Sequence, residues 1–142
     1  MPLLLIHTFA TLFMTGIIWF VQVVHYPLFD RVGASSFVAY EKQHAMRTGW
    51  VVGPVMCVEA LTALALTVYP PLGVPVGSLL LGLVLVGIAW FLTAFLQVPQ
   101  HRALARGYDA KVHRRLVVTN WFRTVVWTMR SVLVLWMVTQ AC

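Results

Sequence analysis

Apolar residues fill four long blocks of this chain, about 3–24, 50–69, 76–97 and 116–138, and each block is broken by a few polar residues at helical spacing. A helix needs about 20 mostly apolar residues to cross roughly 30 Å of hydrocarbon, so each block predicts one transmembrane span. Backbone groups in lipid must be satisfied internally. Four spans with short connections therefore predict an all-α, integral membrane four-helix up-down bundle, a single domain over residues 1–142. Helix is expected beyond the spans as well. Ala34 to Trp50, with Ser35 or Ser36 as N-cap, should run into span two and kink near Gly49, Gly53 and Pro54. Asp109 should cap a helix that runs through Lys111, His113 and Arg115 into span four.

The polar interruptions fall on stripes. His7, Thr11, Thr15, Gln22 and His25 share one face of span one at about 100° per residue. Glu41, His44, Thr48, Val55 and Glu59 share another, and His113, Asn120, Arg123, Trp127 and Arg130 a third. Span three offers Trp90, Thr93 and Gln97, and should break at Pro99 just before His101. Each helix thus has one polar face, and the four faces should meet inside the bundle. Trp19, Trp50, Trp121 and Trp136 lie near span ends, where aromatic belts are expected, whereas Trp90 and Trp127 lie deeper. Gly82, Gly87 and Ala89 suit close approach of helices.

Composition agrees with lipid as the solvent: 61% of the 142 residues are hydrophobic and 10% charged, and the mean hydropathy is +0.86. The net charge of +6 is concentrated in two connections. The first, about 25–49, holds Arg31, Lys42 and Arg47, and the third, about 98–115, holds Arg102, Arg106, Lys111, Arg114 and Arg115. The second connection and both tails hold no Lys or Arg. By the positive-inside rule both termini lie outside the cytoplasm in a multi-pass protein of the cell membrane, and the helical extensions stand on the cytoplasmic side. Topology and attraction to anionic lipid account for the basic charge without a nucleic-acid partner. Met1-Pro2-Leu3 lacks a basic n-region, so the first span is expected to stay uncleaved. Cys57 and Cys142 offer neither a CxxC pair nor a structural disulfide.

Polar groups within spans are costly and become site candidates. Glu59, the only carboxylate in the four blocks, is expected to meet Arg130, either as a structural ion pair or as a proton carrier facing a clamp of Arg123 and Arg130. Glu41-Lys42-Gln43-His44 is an ExxH, the spacing that directs a carboxylate and an imidazole at one metal. Four acids in all, Asp30, Glu41, Glu59 and Asp109, are too few for a carboxylate-rich di-iron centre. A histidine-rich iron or copper site from His25, Glu41, His44 and His101, with His113 nearby, stays open beside plain interfacial histidines. Haem held by His25 and His101 is a further alternative, and no second deep histidine faces His7. No residue is assigned to an organic cofactor.

Gln97-Val98-Pro99-Gln100-His101-Arg102-Ala103-Leu104 followed by Asn120-Trp121-Phe122-Arg123-Thr124 resembles the "NVPxNxxL … WNxxRT" tail of the anthrone oxygenase-like family of small four-span membrane proteins. His25-Tyr26-Pro27-Leu28-Phe29 and Tyr40-Glu41-Lys42-Gln43-His44 resemble bacterial proteins of the same size. The resemblance covers roughly a third of the chain and implies a site at the Pro99 break and the Asn120/Arg123 face. Three functions stay open. The first is a membrane oxidoreductase or oxygenase acting on a small lipophilic substrate from the bilayer, with Glu59, Asn120, Arg123 and Arg130 as catalytic candidates. The second is binding or transport of a small solute or proton, and the third is a haem-binding or assembly subunit, including a homo-oligomer.

Overall fold

A computed structural model describes residues 1–141; Cys142, expected outside the membrane, lies outside the described residues. Among those residues the chain is all-helical, with no strand. Helix α1 (Pro2–Arg31), α2 (Ala34–Val68) and α3 (Val76–Leu104) are long and apolar enough to cross a membrane. Helix α4 (Ala110–Ala141) is as long but carries Arg114, Arg115, Arg123 and Arg130, and falls outside that set.

Three apolar clusters hold the helices side by side, and each draws on all four. At one end Leu4, Leu66, Leu79 and Met137 meet Val74 of the short connection. In the middle Met14, Ile18, Met56, Leu85, Ala89, Val126 and Trp127 interlock. At the end with the basic connections Val21, Tyr26, Phe29, Phe37, Leu104 and Leu116 close the core. The outer surface is apolar too, with Phe9, Trp50, Leu61, Phe95 and Val132 more than half exposed. A water-facing surface of this kind is foreign to soluble domains. Gly73 turns the second connection with φ +81°, and a Cβ there would overlap the carbonyl oxygen of Gln140 on α4. Gly82 packs against Met137 and Leu133 as a close-approach residue, whereas Gly87 faces open space.

Local details depart from expectation at four places. The N-cap of α2 is Gly33, and Ser35 and Ser36 lie within the helix. The extended Val32 delivers the chain so that the first turn closes from Ser36 N–H to Gly33 C=O, leaving no hydroxyl at the cap position. Pro99 does not break α3. A π turn at Thr93–Gln97 precedes it, and Val98 N–H bonds to Thr93 C=O five residues back, so the helix widens by one residue and continues to Leu104. Such turns are rare and collect at functional sites. Helix α1 repeats the device. A π turn at Val21–His25 precedes Pro27, with Tyr26 N–H bonding to Val21 C=O at 2.9 Å, before a 3-10 turn ends the helix. Finally, Trp90 faces outward instead of lining the interior. The Asp109 cap is as expected: its carboxylate accepts from the N–H groups of Lys111 at 2.7 Å and Val112 at 3.1 Å.

Candidate functional site

The buried polar residues form two assemblies at different depths. The deeper one centres on Arg130. Its Nε and one terminal nitrogen donate to Glu59 Oε1 at 3.1 and 2.9 Å, the other terminal nitrogen donates to Gly82 C=O at 2.7 Å, and Thr11 accepts at 3.3 Å. Trp127 Nε1–H donates to Glu59 Oε2 at 3.2 Å. His7 bonds to Thr62 at 2.8 Å and borders Arg130 at 3.5 Å. All four helices therefore contribute a group to one ion pair whose members are each 1% exposed. A pair so fully satisfied has no free valence for a ligand, and neither member lines the cavity between the two π turns.

The second assembly lies between the two π turns, towards the basic connections. Here a slot of about 420 Å³ is lined by Met14, Ile18 and Val52 at its apolar end and by Tyr26, His44, His101 and Arg123 at its polar end, with Lys42 and Arg102 also on its wall. The polar end is built from residues that both π turns redirect. In a straight helix the stripe through Gln22 continues to His25. The extra residue of the π turn advances the phase, so Tyr26 becomes the buried residue at 3% exposure and His25 moves to the edge. Tyr26 O–H then meets His101 Nε2 at 2.8 Å, and His101 Nδ1 meets the buried Glu41 carboxylate. With Nδ1–H donated to Glu41, His101 Nε2 accepts the tyrosine proton, and the three form a relay ending at the slot.

Arg123 lies beside the Tyr26 hydroxyl. It is 5% exposed, its NH1 donates to Asn120 Oδ1 at 3.0 Å, and its guanidinium lies 5.2 Å from the Trp127 ring centroid. Asn120 is held in turn by Gln22, to whose side-chain oxygen it donates at 2.9 Å. No hydrogen bond of Arg123 reaches a carboxylate among the described residues, and its Nε has no partner. A buried cation of this kind, on the wall of a cavity, is poised for an anionic or carbonyl oxygen.

The residues expected to ligate a metal come together, though not on one point. His25 Nε2 bonds His44 Nδ1 at 2.9 Å, Glu41 bonds His101, and the rings of His44 and His101 lie 5.3 Å apart. One atom of each is thus committed in two separate pairs, while His44 Nε2 and the second Glu41 oxygen have no partner. Among the described residues no group of three or more His, Cys, Asp or Glu converges as a ligand set. His113 turns away: its Nε2 bonds the carbonyl of Tyr26 at 2.7 Å, and Tyr108 meets its other nitrogen. Tyr26 and Gln22, absent from the expected set, are the additions. A signal for them was present in the chain, since a proline two residues beyond a polar helical stripe, at Pro27 and again at Pro99, marks where the helix must widen or break. No protein-family model, curated protein or solved structure matches the chain.

Proposed function

We propose that the protein is a four-span enzyme of the cell membrane, an oxygenase-like oxidoreductase that ionises a flat, lipophilic hydroxy-aromatic or enolisable ketone in the slot. The carrying observation is Arg123, a buried guanidinium without a carboxylate, on the slot wall with the Tyr26–His101–Glu41 relay. The relay accepts the substrate's hydroxyl proton through the Tyr26 oxygen as tyrosine passes its own to His101. Glu41 then neutralises the imidazolium, and Arg123 holds the oxyanion. An ionised hydroxyanthrone is electron-rich enough to react with O₂. One oxygen atom becomes the new carbonyl of an anthraquinone, and the other leaves with the two hydrogens of the former methylene as water. The resemblance of the Gln97–Leu104 and Asn120–Thr124 segments to the anthrone oxygenase-like family supports this choice of chemistry.

Purified protein in micelles should consume one O₂ per anthraquinone formed from a hydroxyanthrone, faster than protein-free micelles do, and Tyr26→Phe should lower the rate by about 10²-fold by removing the relay's hydroxyl. Oxidation no faster than in empty micelles would sink the oxygenase reading.

Helix α4 is the fourth span of an up-down bundle in this reading. Its inward face holds Asn120, Arg123 and Arg130, while Phe122, Val125, Met129 and Val132 face outward and are more than half exposed. Arginines that face protein need not meet lipid. With eight loop cations on the cytoplasmic side, the helical extensions and the polar end of the slot face the cytoplasm. A membrane-impermeant thiol reagent should therefore label Cys142 in intact cells expressing Cys57→Ser; labelling only after lysis would reverse the orientation.

A further inference from the structure

The relay of Tyr26, His101 and Glu41 holds a proton but leads nowhere, because Glu41 is fully buried and its second oxygen has no partner. A separate pair of imidazoles lies beside it. His25 Nε2 and His44 Nδ1 are 2.9 Å apart, and Thr48 Oγ1 is 3.2 Å from the same nitrogen of His44. His44 Nε2, on the far side of the ring, is buried and has no partner. His44 and Thr48 line the slot, and both also line a second cavity, of about 570 Å³, that includes His25, Ser36, Gln43 and Arg47. They are the partition between the two spaces.

We propose that His44 is a further acid–base residue of this site and that, with His25, it conducts protons between a ligand in the slot and the water of the second cavity. The inference rests on the slot being a ligand site, and not on the ligand being an anthrone. By this route, open to water where the Tyr26 relay is closed, the ligand's O–H gives its proton to His44 Nε2 in place of Tyr26, His44 Nδ1–H passes to His25 Nε2, and His25 Nδ1–H leaves to water. Both imidazoles end neutral with their tautomers exchanged, and the ligand ends as an anion beside Arg123. The same steps in reverse return a proton to the site and restore both tautomers. The charged and titratable groups around His44 suit this role. Tyr26, Tyr40 and His101 pack their rings at 6.2, 6.4 and 5.3 Å, Lys42 borders the slot, Arg47 borders the cavity, and the one nearby carboxylate, Glu41, is taken by His101. His44 is therefore left without an acid to trap its proton.

The test uses 4-nitro-1-naphthol, a lipophilic phenol whose anion is read by absorbance, with a pH indicator in the bulk water. Wild-type protein should bind the dye and release its proton to water. His25→Ala, which does not line the slot, should bind it within about twofold of wild type yet release the proton at least tenfold more slowly, and His44→Gln should slow the release as much. Imidazole should enter the open cavity and restore the rate of His25→Ala. That variant sits at the cavity edge and carries the test alone if His44→Gln fails to fold. Release at the wild-type rate in the variants would mean that the proton leaves by the slot's own mouth, and the proposal falls. A dye that does not bind wild-type protein overturns the slot as a ligand site and the relay with it. Dye binding and proton release without anthrone oxidation would remove the oxygenase reading alone.

Discussion

Arg130→Leu or Glu59→Leu alone should destabilise the protein by about 3–5 kcal/mol, and the double variant should recover most of that loss. Removing either member leaves the other as an uncompensated charge where water does not reach, whereas removing both leaves two apolar side chains of suitable size. Arg130→Leu should be the more damaging single change, because it also strips the Gly82 carbonyl and Thr11 of a donor. Glu59→Leu leaves those bonds intact and orphans the Trp127 N–H instead. Denaturation of the purified single and double variants in mixed micelles measures the coupling. If the losses of the single variants simply add in the double, the two side chains act through their other contacts and the ion pair is not what joins the helices.

That pair was legible in the sequence because the choice was so narrow. Glu59 is the only carboxylate in the four apolar blocks, so a deep arginine such as Arg130 had one partner of opposite charge to meet. The stripe of His113, Asn120, Arg123, Trp127 and Arg130 was equally readable, since α4 is regular over its whole length and constant periodicity keeps the five on one buried face. The polar end of the slot was less so. Its geometry depends on two π turns, each of which adds one residue and shifts everything after it, and a fixed step of 100° per residue carries no such term. For that reason a constant step links Gln97 to Trp90 and Gln22 to His25, whereas the residues buried with them are Ala89 and Tyr26. The expected metal quartet shows another limit. Sequence spacing brought His25, Glu41, His44 and His101 to the same region but could not say that they would pair off as His25 with His44 and Glu41 with His101.

Arg123→Gln should fold at least as stably as wild type and lose about 10²–10³-fold in turnover of an ionisable substrate, the scale on which a single oxyanion donor acts. The two arginines of α4 are seven residues apart, about 10 Å along the helix, and their surroundings predict opposite behaviour. Arg130 is neutralised in place by Glu59, while Arg123 is buried against Trp127 and Asn120 with no counter-charge. Desolvating that charge costs the resting protein stability, so a shorter, neutral amide relieves the cost even though it gives up the bond with Asn120. The charge becomes useful only when a ligand oxygen turns negative in front of it, which is the condition for stabilising a transition state more than a ground state. Arg123→Lys should fall between the two, keeping the charge but losing the planar fork that serves Asn120 and a ligand together. Melting temperatures and turnover of the Gln and Lys variants, measured on the same preparations, decide it. An Arg123→Gln protein that unfolds as readily as Arg130→Leu, or that turns over normally, would make Arg123 a second structural arginine and leave the slot without its buried cation.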